Sequence, residues 1–285
     1  MAEPEFTRGP ARRPAPTVED PILQWASGLT TQDRKVYAGW MLEAGKFEDL
    51  DISMHEAGFG QVTIKHGSGA VVTHWAIEVA NAFVIAEGVQ SRAELRGDAR
   101  IGIAYTWRRT DSGRPQSVLR ARVMLRELLA VGYMDPLVIS VKSTFTDDVM
   151  TALNAHYAVL DQIDAFRALD GKSALHSPFY ACCVPLGPGA DVERGTGNNK
   201  KTVAPIVEQI PVPITKEYIR AAWCKREWAA RIEELFDDTI AWSIAESARL
   251  HAGDDAAPAH EDAPPAAPYR ADTRTPLGQA PAPHA

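Results

Sequence analysis

Apolar and polar positions divide the chain into a folded stretch, about Pro21 to Leu250, and two polar ends. The core opens on PILQWASGL, and Ala38–Leu42 reads as a strand. Gln61–His66 and Ala70–Ile77 are β-branched runs of alternating polarity. Gly67, Ser68 and Gly69 between them allow the positive φ of a tight turn, which predicts a β-hairpin. Ala82–Ala86 is a further short apolar run. Arg100–Arg108 alternates so that Ile101, Ile103, Tyr105 and Trp107 share one face. After the turn TDSGRP, Ser117–Leu129 fits either a helix or a strand. A strand is favoured at its start, where Ala121, Val123 and Leu125 alternate with Arg120, Arg122 and Arg126 around Met124. Leu137–Lys142 is the next strand.

A helix is expected from about 145 to 166. Thr144 with Asp147 resembles a capping box, Asp148 adds charge to the first turn, and Val149, Leu153, His156, Leu160 and Ile163 recur at helical spacing. Phe179–Leu186 and Thr202–Ile210 read as strands joined by a long loop, Gly187–Lys201. Pro211 and Pro213 break the second, and Thr215 can cap a helical region, 215–250, that carries Trp223, Trp228 and Trp242. Three strands, a helix and two strands is the order of an OB-fold, a small barrel that binds oligonucleotides. The expected class is therefore α+β: an OB-like β-barrel, with strands around 100–143 and 178–210 and a helix around 145–166. An N-terminal β-hairpin and C-terminal helices complete it.

Residues 1–20 and 251–285 are rich in Pro, Ala and charge, which predicts disordered tails. A solvated linker is the plain reading of the second; the sharper one is an acidic tail that recruits a partner, or one that screens the basic surface when no nucleic acid is bound. The chain contains no apolar run long enough for a membrane span, and its first residues do not resemble a secretory signal. Three cysteines, two of them adjacent, with no CxxC pair, suggest neither a disulfide framework nor structural zinc, and fit a reducing cytoplasm.

The formal net charge of −7 argues against a protein that coats duplex DNA. Its distribution changes that picture. Arg92 to Arg126 holds nine arginines against Glu94, Asp98 and Asp111, a segment of +6. Single-strand binders combine a cationic track with aromatic stacking faces. The residues that could supply these are Arg108, Arg109, Arg120, Arg122, Arg126, Lys142, Lys200 and Lys201, with Trp107 for stacking. An arginine-rich strand face can also be merely solvated. Tyr105 reads as core and Trp107 stays open between the two roles.

Other chemistry finds little footing. ERGTGNNKKT departs from a phosphate-binding P-loop at Lys200 and precedes a strand. HEAGF lacks the second histidine of a zinc-protease helix. His66, His74, His156 and His176 have no ligand spacing and read as surface or satisfied core residues. Asp147 and Asp148 are accounted for by capping. No GxSxG elbow exists, and Cys182 and Cys183 have no cationic neighbour in sequence. No catalysis, cofactor or metal is expected.

The succession PILQWASG, AGW, EAGFGQVTIKHGSG, LVISVKSTFTDDV and SPFYACCVPLG resembles proteins carried by bacteriophages and mobile elements. Some of these look like OB-fold single-stranded-DNA-binding proteins. The resemblance spans most of the core through hydrophobic and turn patterns and carries over no site residues. It implies a role in replication or recombination of a mobile genome. The expected partner is thus single-stranded nucleic acid. The alternative is a non-catalytic assembly protein, a homo-oligomer included, that uses the tryptophan-rich C-terminal helices.

Overall fold

A computed structural model describes residues 20–30, 36–48, 50, 52–65, 71–89, 101–109, 115–195 and 200–252. The Gly67–Gly69 turn, His66, Arg92, Arg96, Arg100 and Arg114 lie outside the described residues, as do both chain ends.

Twelve strands and five α-helices are described. The strands are β1 (Ile22–Thr30), β2 (Val36–Glu43), β3 (Gly60–Lys65), β4 (Val71–Ile77), β5 (Ala80–Val84), β6 (Ile103–Arg109), β7 (Pro115–Leu125), β8 (Leu137–Lys142), β9 (Val184–Pro188), β10 (Val192–Arg194), β11 (Lys201–Val203) and β12 (Ile206–Glu208). The helices are α1 (Arg126–Ala130), α2 (Thr144–Ala155), α3 (Tyr157–Leu169), α4 (Lys216–Ala222) and α5 (Arg226–Ala252). Ten strands form one mixed sheet in the order β12-β9-β5-β7-β8-β1-β2-β4-β3, with β6 on the edge of β7 beside β5. β10 and β11 form a separate ribbon.

The sheet curls strongly into a half-barrel. Trp40 of β2 is fully buried and its indole N–H donates to the carbonyl of Leu186 on β9, at 2.9 Å. Trp25 of β1 packs edge-on against Trp40 and donates to Ala204, at 3.3 Å. Strands near opposite ends of the sheet order thus meet through two indoles that are apolar in body and polar at one edge. The enclosed core takes alternate residues from the strands: Ile103 and Tyr105; Leu119, Ala121, Val123 and Leu125; Leu137, Ile139 and Val141. α2 adds Val149, Met150 and Leu153 to it.

β7 organises the arrangement because its two edges serve three partners. One edge pairs with β8, and the other with β6 over Pro115–Ala121 and then β5 over Val123–Leu125. β5 and β6 therefore lie end to end. Gly102, at φ +83°, permits this: a Cβ there would stand 2.8 Å from the carbonyl oxygen of Ile85.

The outer face is covered by α5. Its buried residues Trp228, Ile232, Thr239, Ser243, Glu246 and Leu250 follow helical spacing. Thr239 and Ser243 are small enough to bring the helix close to the sheet. Leu250 packs on Ala104 of β6 and Val118 of β7. A second core lies under α3, α4 and the start of α5, with Phe83, Met124, Val159, Ile163, Cys182, Cys183 and Trp228.

Several elements differ from the sequence expectations. PILQWASGL is a central strand, parallel to β8, so the N-terminal hairpin strands extend the same sheet instead of standing beside it. Ser117–Leu129 resolves as strand to Leu125 and helix from Arg126. The expected helix is two helices that meet at His156, and Thr144 is its first residue instead of its cap. Ser143 stands at that cap with φ +56°, and Thr146 supplies the local hydroxyl bond to its carbonyl, at 2.6 Å. Phe179–Ala181 is a 3-10 turn before β9, and the expected strand 202–210 divides into β11 and β12. The strand β9 pairs with β5 and β12, where a five-strand barrel would need it beside β6 or β8. Thr215 does cap α4, its hydroxyl accepting the N–H of Tyr218 at 3.2 Å.

Candidate nucleic-acid interface

The arginines of β7 separate from the other cations. Arg120 and Arg122 alternate with the inward residues and so face outward, under α5. Arg120 is 3% exposed and pairs with Glu246, which also accepts from Arg249 at 2.7 Å. Burial alone would raise the Glu246 carboxyl, but the guanidinium groups of Arg249 and Arg120 outweigh it and hold it below the ordinary glutamate range. Arg122 bonds Asp20 at 2.5 Å and Asp238 at 2.8 Å, and its guanidinium lies 5.5 Å from the Trp242 ring. Burial raises Asp20 despite that bond. Arg126 begins α1 and donates to the carbonyl of Ala221, at 2.8 Å. Arg120 and Arg122 thus fasten α5 to the sheet, and Arg126 ties α1 to α4.

The remaining candidates share one end of the sheet. Trp107 pairs with Ser117 across β6 and β7 and is 47% exposed. Arg108 and Arg109 follow it in β6, and their side chains lie outside the described residues. Ser117 receives the N–H of Ser143 on its carbonyl at 2.7 Å, while its hydroxyl bonds Ser143 at 3.0 Å and Thr146 at 2.7 Å. Lys142, exposed, ends β8 beside this knot. The left-handed Ser143 turns the chain there directly into α2, and such a backbone in a non-glycine residue costs about 1 kcal/mol or more.

The ribbon β10–β11 docks on the same corner through Arg194. Its guanidinium bonds Asp148 at 2.6 Å and Thr144 at 3.0 Å and lies over the Phe145 ring at 5.2 Å. Asp148 also accepts the N–H of Ile206, at 3.1 Å. This carboxylate therefore joins the ribbon and β12 to α2. Lys201 stands opposite Arg194 in the ribbon and is exposed, and Lys200 lies 3.6 Å from Glu193 at the surface. Hydrogen bonds and strand register connect Trp107, Lys142 and Lys201 through Ser117, Ser143, Thr144 and Arg194. Arg194 was not legible as part of this corner, since nothing in the sequence ties the loop to the helix start.

Other chemical groups are accounted for by packing. His156 is fully buried and its Nε2 lies 3.0 Å from the carbonyl of Phe179. Burial pushes its pKa down to about 4, despite that bond, so the ring is neutral with Nε2–H as donor. Cys182, Cys183 and Cys224 are buried free thiols, each pushed up to about 12 chiefly by burial. Such thiols are poor nucleophiles at neutral pH. Trp228 is buried against Phe83, with ring centroids 6.0 Å apart. Among the described residues no group of three or more His, Cys, Asp or Glu could hold a metal ion, and no helix is long and apolar enough to cross a membrane. No family model, curated protein or solved structure matches the chain.

Proposed function

We propose that the protein binds single-stranded nucleic acid, without catalysis or a cofactor, at the end of the sheet that carries Trp107. The observation that supports this most is the half-exposed indole of Trp107 at an end of the sheet where β8 also finishes in exposed Lys142, on the opposite face by strand register, and where Arg194 docks the ribbon that carries exposed Lys201. A strand needs both features: cations to neutralise phosphates, and an aromatic face on which a base can stack. The rigid Ser117–Ser143–Thr146 knot would hold the two apart by a fixed distance, so little ordering entropy is lost on binding. The meander β6–β7–β8 followed by a helical segment supports an OB-like relation for these three strands, although β9 pairs elsewhere in the sheet. The setting that fits is cytoplasmic, in the replication or recombination of a phage or mobile element's DNA.

Anisotropy titration of a labelled oligo-dT at low and moderate salt tests the reading. Affinity should fall steeply with salt, and Lys142→Gln should reduce the magnitude of the log–log slope by about 0.7, one phosphate contact on a single strand. Absence of binding at low salt would overturn it.

A further inference from the structure

At the other end of β7, roughly 30 Å along the strand from Ser117 at about 3.3 Å per residue, a groove of about 470 Å³ opens where α1 meets the α4–α5 elbow. That volume is of the size that holds a small ligand. Trp223, Arg126, Arg220 and Lys225 line it, with Glu56 and Glu127 as the acids.

Trp223 is held firmly although its side chain is 37% exposed. Its backbone forms a bridge with Cys182, and the N–H groups of Cys183 and Cys224 donate to Ala222 and Ala181, each at 2.9 Å. Nothing within the second core requires an exposed indole at this elbow, whereas Trp228, five residues on, is buried. The cations are also placed. Arg126 is fixed by its bond to Ala221, and Lys225 lies 4.4 Å over the Trp228 ring. Arg220 reaches solvent, with Glu217 at 3.8 Å. Of the two acids, Glu127 is already engaged: its carboxylate accepts both the backbone and side-chain N–H of Asn81, at 3.3 and 2.5 Å. The groove therefore offers cationic groups and an aromatic face. Its wall is low at Gly58, where a Cβ would meet nothing within 4 Å, and this leaves room for a flat ring.

We propose that this groove binds a nucleotide, its base against Trp223 and its phosphate against Arg220 and Lys225. The nucleotide is either a free nucleoside monophosphate or one unit of a strand. The groove stands independently of the Trp107 corner, because no residue is shared between them.

The test uses the full chain with two probes, deoxyadenosine monophosphate followed by calorimetry and labelled oligo-dT followed by anisotropy. The variants are Trp223→Ala and the double charge reversal R220E/K225E, with W107A/K142E as the control at the other end and thermal melts to establish folding. Loss of about tenfold in mononucleotide affinity in both groove variants, but not in the control, is the expected result for a free nucleotide. The same loss seen with oligo-dT alone assigns the groove to a strand. Either pattern sustains the proposal even if the Trp107 corner proves inert. It is overturned if neither probe binds the parent, or if the groove variants bind both probes like the parent, in which case oligo-dT binding lost only in W107A/K142E leaves the Trp107 reading standing alone.

Discussion

The middle of β7 and its two ends carry the same kind of side chain and use it differently. Arg120 and Arg122 lie beneath α5, each answered by carboxylates, and hold a helix in place. Lys142 and Lys201 are exposed toward the end that carries Trp107, and Arg220 and Lys225 line a groove with Trp223 toward the other. In sequence the arginine band is the strongest basic signal. In three dimensions its central members are spent on internal ion pairs, so a run of charge along a strand predicts surface potential only if no element packs over that face. Alternation guaranteed that Arg120 and Arg122 would share a face; the 27-residue α5 decided that the face would be buried.

This contrast is broken most forcefully at its centre. Arg120→Ala leaves Glu246 under α5 with Arg249 alone as its partner, and should cost about 3 kcal/mol in chemical denaturation. Binding of oligo-dT by the folded fraction should be unchanged. A large loss of affinity at constant stability would instead place Arg120 in the interface.

The next effect concerns the joint between α2 and α3, where His156 is buried against Phe179. His156 has a folded pKa of about 4 against 6.5 for the free side chain, so the unfolded chain binds the additional proton below pH 6.5. Stability therefore falls as pH drops through that window, by about 2 kcal/mol between pH 7 and 5 from this group. In His156→Gln, which retains a donor for the Phe179 carbonyl, that part of the pH dependence should vanish. Parallel pH profiles of wild type and variant would show the idea to be mistaken.

At the corner itself, Trp107→Ala should weaken oligo-dT binding by about 1 to 2 kcal/mol, the loss of one stacked base, with little change in melting temperature because the ring is half exposed. The smallest effect is expected from residues 253–285, which carry five acids and two arginines, −3 in all. They continue from α5, whose Leu250 packs against β6 and β7 toward the Trp107 end. Ending the chain at Ala252 should raise affinity severalfold at low salt and leave it unchanged at high salt, where screening removes the difference. An equal gain at both salts would exclude an electrostatic origin.

Parts of the candidate sites were legible and parts were not. Trp107 and Lys142 could be found because each sits at a strand end, where alternation no longer dictates burial. Arg194 could not, since it acquires its role from a distant partner, Asp148; Trp223 was visible as one of the C-terminal tryptophans, but not the Cys182 bridge at its backbone or the groove that it lines. Asp148, which the sequence assigned to helix capping, instead ties three elements together.

The sequence by itself determined the local alternation: which residues of β6, β7 and β8 face inward, the Thr215 cap, and the β-branched runs of β3 and β4. These depend on neighbours within a few positions, through a two-residue period or a single turn. Only the tertiary structure decided that β1 enters the sheet beside β8, that Trp40 reaches across the curl to β9, and that α5 buries the arginine face. Those outcomes rest on contacts between residues more than a hundred positions apart in the chain, and no local pattern of polarity records which surfaces will meet.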